Sequence, residues 1–136
     1  MDFLKSIAIA ASGLRAQAGR MRVISENVAN ADSTAQRPGD NPFRRKIPTF
    51  RSDFDRALES RVVGLGPVRT DPTDFQVKYQ PGHPAADAAG NVKYPNINPL
   101  IEMTDMRDAQ RSYEANLNII SATRRMIQRT LDILKA

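Results

Sequence analysis

The stretch LNIISATRRMIQRTLDILKA, residues 117–136, decides how the rest of the chain is read. Leu117, Ile120, Ile127, Leu131 and Leu134 keep the three- and four-residue steps that a helix turns into one apolar stripe. Terminal segments commonly fray because they have little to bury. Here the stripe stays in register to within two residues of the last position, and no glycine or asparagine cap follows it. A stripe held that far predicts a reader outside the segment.

Working backwards, the alternation continues through Met103, Met106, Gln110, Tyr113, Leu117, Ile120, Arg124, Ile127, Leu131 and Leu134. This is a heptad seam. Pro99 suits the first helical position and Asn98 the N-cap. The spacing predicts one helix of about 35 residues, roughly 50 Å long. Its charges are sorted to match the helix dipole. Glu102, Asp105, Asp108 and Glu114 lie in the first half, and Arg124, Arg125, Arg129 and Lys135 in the last.

The other end of the chain carries a matching seam: Leu4, Ile7, Ala11, Leu14, Ala18, Met21, Ser25 and Val28. Gly13 and Gly19 each cost about 1 kcal/mol relative to alanine inside a helix. The small residues Ala8, Ala11, Ser12, Ala16, Ala18 and Gly19 let another helix approach closely. Docking the two end helices antiparallel hides one seam of each but leaves Ile24, Ile119 and Met126 outside it. Periodicity alone leaves two readings open: an intramolecular bundle with a ragged edge, or an edge covered by neighbouring copies.

Between the helices the composition changes. All nine prolines and five of the seven glycines lie between residues 38 and 99. FQVKY (75–79) alternates as a half-buried strand does, and NVKY (91–94) repeats the pattern more briefly. GLGPVRT (64–70) and YQPGHPAADAAGN (79–91) read as turns and loops. Phe43, Ile47, Phe50, Phe54 and Leu58 suggest a small apolar cluster, with a short helix at 52–60. The expected architecture is mainly α with a small β and irregular insert. Residues 1–30 and 99–136 form one discontinuous helical domain, paired as a coiled-coil-like hairpin, around an insert at 31–98.

Composition narrows the function. The 136 residues carry a net charge of +5, spread along the chain. The one dense cluster, Arg44-Arg45-Lys46, has acids nearby and reads as a solvated loop rather than a nucleic-acid face. With no cysteine there is no disulfide or thiolate chemistry. His83 is the only histidine and reads as a loop or packing residue. No phosphate loop or nucleophile elbow is present. The expectation is therefore no enzyme, no catalytic residues, no cofactor and no metal. The N-terminal apolar run, Ile7 to Ala11, is too short for a cleaved signal peptide, and no run approaches the ~20 residues a membrane span needs. The rival function is a basic amphipathic-helix scaffold touching a membrane surface or nucleic acid.

Several segments carry a family likeness. PGHPAAD, YPNINPLIEM and DMRDAQRSYEANLNII resemble the C-terminal half of bacterial flagellar rod proteins, in the branch that builds the proximal rod. ASGLRAQAGRMRVISENVANADST is similar to the N-terminal signature of flagellar axial proteins, and PFRRKIPTF to the segment opening their central region. The signature positions are Ser12, Leu14, Ala16, Gln17, Asn27, Ala29 and Asn30 at the front, then His83, Pro95, Asn96, Glu102, Met103, Tyr113 and Asn116. The resemblance implies a structural subunit exported without a cleaved signal by the flagellar type III apparatus, in a rod that crosses the periplasm and transmits torque. It implies as partners other copies of the chain, the rod proteins FlgB, FlgF and FlgG, and the rod-base protein FliE, with no small-molecule substrate. The terminal helices would then meet their neighbours through Leu4, Ile7, Ala11, Leu14, Ala18, Met21, Val28, Met103, Met106, Tyr113, Leu117, Ile120, Ile127, Leu131 and Leu134.

Overall fold

A computed structural model describes residues 2–135. Helix α1 spans Phe3–Ala29 and helix α2 spans Pro99–Lys135. Six short strands lie between them: β1 (Lys46–Ile47), β2 (Phe50–Asp55), β3 (Ser60–Leu65), β4 (Arg69–Thr70), β5 (Gln76–Tyr79) and β6 (Asn91–Tyr94). The chain is thus mainly helical at its ends with a small β region between, as the sequence predicts.

Both helix starts are capped by side chains. The Lys5 amide donates to Asp2 Oδ1 at 3.1 Å, and the Leu100 amide to Asn98 Oδ1 at 3.1 Å. Pro99 stands where its missing N–H costs nothing. At the other end of α1, Asn30 donates through Nδ2 to the Glu26 carbonyl at 2.8 Å and accepts at its own carbonyl from Ser33 Oγ.

The strands pair as three antiparallel two-stranded ribbons, β1 with β4, β2 with β3 and β5 with β6. The expected short helix at 52–60 is instead the β2–β3 hairpin, paired from Phe50↔Leu65 to Asp55↔Ser60. Asp55 dictates its turn: Oδ1 accepts from the Ala57 and Leu58 amides, and Glu59 takes a positive φ of 46°. The expected apolar cluster does not close, because Phe50 and Phe54 alternate onto one strand face and remain exposed. FQVKY also departs from expectation. β5 begins at Gln76, is exposed throughout, and has no layer packed on it. Phe75 lies just before it, half-buried under the Arg44 guanidinium, 4.2 Å above the ring. Among the described residues only Val92, in β6, is a buried strand residue. GLGPVRT is partly strand, since it holds the end of β3 and all of β4.

The chain divides into two compact units whose boundaries cut across both helices instead of falling at their ends. The first comprises the described parts of Met1–Met21, Thr49–Pro67 and Arg107–Ala136, and the second Arg22–Pro48 and Val68–Met106. The first has a core of small residues: Ala10, Ser12, Ala16, Ala109 and Thr123 are buried. Gly13 makes room for Asn116 there, because a Cβ on it would lie 2.8 Å from Asn116 Oδ1 and the amide would have to shift. The second unit buries Val23, Ile24, Ala85, Val92, Pro95 and Ile97 around two polar residues, Asn27 and Glu102. Gly90, at φ +82°, closes the β5–β6 loop against Pro81.

Candidate assembly surface

The residues each helix buries coincide only in part with the expected seam: at Ile120 and Ile127 the seam residue is half-buried and the one before it exposed, whereas at several other positions the order is reversed. On α2 the buried residues are Glu102, Ala109 and Thr123, with Asn116 half-buried between them. Each precedes an expected seam position: Met103, Gln110, Arg124 and Leu117. On α1 Ala10, Gly13, Ile24 and Asn27 are buried, each one residue before Ala11, Leu14, Ser25 and Val28, and Ser12, Ala16 and Val23 are buried as well. At Gly13 the reason is size: with no Cβ there, the Asn116 side chain comes within contact distance of the α1 backbone.

The expected surface residues are placed accordingly. Ile7, Ala11, Leu14, Met21, Val28, Met106, Tyr113, Ile120 and Ile127 are half-buried. Leu4, Ala18, Met103, Leu117, Leu131 and Leu134 are exposed. On α2 Leu117 is 42% exposed, Leu131 45% and Leu134 78%. Ile24, expected outside the seam, is buried, whereas Ile119 and Met126 are exposed.

Several signature residues meet in one hydrogen-bonded node within the second unit. Asn27, on α1, pairs with the β1 backbone as a strand would: Nδ2 donates to the Lys46 carbonyl at 2.8 Å, and Oδ1 accepts from the Lys46 amide at 2.9 Å. Its Nδ2 also reaches Glu102 Oε2 at 3.0 Å. The other carboxylate oxygen accepts from Arg45 Nε at 2.6 Å, with Glu102 only 1% exposed. Arg45 continues to Asp71, 3.4 Å away, and its backbone amide donates to Asn96 Oδ1. Asn96 in turn donates to Thr73 Oγ1 at 2.9 Å. A buried carboxylate without such partners costs several kcal/mol, so the node stands or falls as a whole.

Charge states follow from these contacts. Burial of the Arg45 guanidinium works to lower its pKa, but bonding to Glu102 and Asp71 outweighs it and the pKa is raised. Asp71 is held below its ordinary value, chiefly by the Thr73 amide and hydroxyl and then by Arg45.

The Arg44-Arg45-Lys46 cluster is therefore no solvated loop. Arg44 donates to the Asp71 and Thr73 carbonyls, Arg45 to Glu102, and Lys46 to Glu26. Their role was hidden because their acidic partners lie 20 to 57 residues away in sequence. The remaining signature residues are local. His83 Nδ1 accepts from the Ala85 amide at 3.1 Å within its loop, Pro95 is buried, and Asn116 sits over Gly13. Met103 and Tyr113 flank the node's helix without joining it. Among the described residues no three His, Cys, Asp or Glu side chains group as metal ligands would, and no helix is long and apolar enough to cross a membrane.

A small-residue core, a polar node and an uncovered apolar helix are the parts of a building block. Residues 7–35 match the family model described as flagella basal body rod protein, and residues 88–133 match that of the flagellar basal body rod FlgEFG protein C-terminal region. These matches define the class: structural subunits of the flagellar basal-body rod, with no enzymatic role. Among its relatives is the flagellar basal-body rod protein FlgC of Agrobacterium fabrum, 51% identical over 94% of this chain and 92% of the relative. The FlgC proteins of Aquifex aeolicus (39% identical, 99% of each chain) and Bacillus subtilis (37%, 99% of this chain and 100% of the relative) match throughout. The chain belongs to the FlgC family of flagellar basal-body rod proteins.

Proposed function

We propose that this subunit builds the proximal part of the rod by polymerising helically through α1 and α2, and that the polymer carries torque from motor to hook across the periplasm. In this reading residues 1–30 and 99–136 work as one helical domain, an antiparallel coiled-coil-like hairpin. Two contacts support that pairing. Gly13 lies against Asn116 in the first unit, and Asn27 bonds Glu102 in the second. The partners are other copies of the chain, FlgB, FlgF, FlgG and FliE, and delivery is by the flagellar type III export apparatus without cleavage of a leader.

The observation carrying the proposal is the uncovered stripe on α2, where Leu117, Leu131 and Leu134 are 42%, 45% and 78% exposed. Fully burying a leucine contributes about 1.5–3 kcal/mol, a gain the single chain leaves unrealised. Leu131→Asp leaves the fold unchanged, since the side chain is exposed, but places a charge in the subunit contact. Rods are expected to be absent and swimming lost. Wild-type motility in that variant overturns the proposal.

A further inference from the structure

The β2–β3 hairpin lies outside both matched family segments, which end at residue 35 and resume at residue 88. It meets α1 at three places. Lys5 Nζ donates to the Glu59 carbonyl at 3.1 Å, and the Val63 amide donates to Ser12 Oγ at 3.3 Å. Leu65 lies over Gly19, where a Cβ would stand 3.0 Å from Leu65 Cδ2. All six residues belong to the first unit.

Their spacing makes a line. Lys5, Ser12 and Gly19 are seven residues apart, so they share one side of the helix over about 21 Å. Glu59 to Leu65 covers about 20 Å of extended chain and runs in the same direction. Gly13, one residue and so about 100° round from Ser12, meets Asn116 of α2 instead. The hairpin and α2 hold the first half of α1 from different sides.

Each tie is made by a group placed for it. The Thr49 carbonyl accepts from the Gly66 amide at 2.7 Å, which sets the alternation of the ladder. By that alternation the Val63 amide points away from β2, on the outer edge of β3, where Ser12 takes it. Ser12 is 2% exposed and donates its own proton to the Ile9 carbonyl at 2.6 Å, leaving an oxygen lone pair for Val63. At the turn, Glu59 holds a left-handed φ of 46°, a conformation that persists where its surroundings determine it. Asp55 closes that turn from within the hairpin, and Lys5 holds the Glu59 carbonyl from the helix.

Helix α1 has need of such support. Gly13 and Gly19 weaken its interior, and it has no acidic residue in its first turn and no basic one in its last. Helix α2 has Glu102 and Lys135 at those places. We infer that the β2–β3 hairpin is a strap that keeps the first half of α1 helical in the unassembled chain. On the assembly role proposed above, from which this consequence follows, a copy reaches the rod with that half of α1 already set. The ordering left to assembly then falls on the end of α2.

Hydrogen exchange on the free, full-length chain tests the strap. In the wild type, amides 8–19 are expected to exchange at least a hundredfold more slowly than amides 124–135; equal rates overturn the inference. Lys5→Met/Ser12→Ala removes both polar ties and puts a helix former at least as good at each position. Local propensity alone leaves α1 as well protected or better. A lost strap is expected to speed amides 8–19 at least tenfold and to leave Asn91–Tyr94 as they were; unchanged amides 8–19 overturn the inference. Asp55→Ala opens the turn from the hairpin side without altering α1 and is expected to have the same effect, and unchanged amides 8–19 overturn the inference there too. Loss of protection that spreads to Asn91–Tyr94 in both variants makes the hairpin part of the general fold and equally overturns it. All of this is read on single chains, so its failure is distinct from that of the assembly role, which the Leu131→Asp variant decides.

Discussion

Glu102 shows how one side chain can outweigh many. It is buried at the start of α2 and answers Asn27 from one oxygen and Arg45 from the other. Glu102→Ala leaves both donors without their acceptor and is expected to lower unfolding stability by about 2–4 kcal/mol, since bonds to charged groups contribute ~1.5–3 kcal/mol. Glu114→Ala, on the exposed face of the same helix, stays within ~0.5 kcal/mol. Urea midpoints of the two variants decide this. Asp71 adds a pH dependence. Its pKa is lower in the folded chain than its ordinary value of about 3.9. The unfolded carboxyl therefore takes up protons first as the pH drops, and acid favours unfolding. The contribution is present above about pH 4 and disappears as the pH falls through the depressed folded value. Asp71→Asn is expected to flatten the acid limb of a midpoint-against-pH curve below pH 4.

At the level of elements, the helices were legible and the ribbons less so. Pro99 with Asn98 fixed the start of α2, and the structure begins it at Pro99 with Asn98 as the cap. Asn98→Ala is expected to cost about 1 kcal/mol in the denaturant midpoint, with Pro99 still preventing the helix from extending backward. Periodicity marked a stripe on each helix but not which residues the chain itself buries. Hydropathy favours large apolar side chains, while the residues buried in the first unit are small: Ala10, Ser12, Ala16 and Ala109. The 52–60 segment misled for a related reason. Phe54 and Leu58 lie four apart as on a helix face, yet Asp55 turns the chain by accepting two amides. The node was invisible for want of local signal: Arg45 and Glu102 are 57 residues apart, and nothing near either names the other.

Over the whole molecule, cohesion is uneven. The second unit is tied by the bonds among Asn27, Arg44, Arg45, Asp71, Asn96 and Glu102. The last turns of α2, from Arg124 onward, expose most of their side chains. Hydrogen exchange on the free chain is expected to be fast at amides 124–135 and slow at Asn91–Tyr94, a contrast that uniform protection would contradict. The same terminal amides should become protected in isolated rods, by mass action. The long reach of the Asn27–Glu102 and Arg45–Glu102 bonds, 75 and 57 residues, has a temporal corollary. A polypeptide that emerges N-terminus first, from a ribosome or from a narrow conduit, holds two of the three keystones long before the third appears. Three quarters of its length must emerge before the lock can shut, so Asn27 and Arg45 wait without their shared acceptor through the greater part of synthesis.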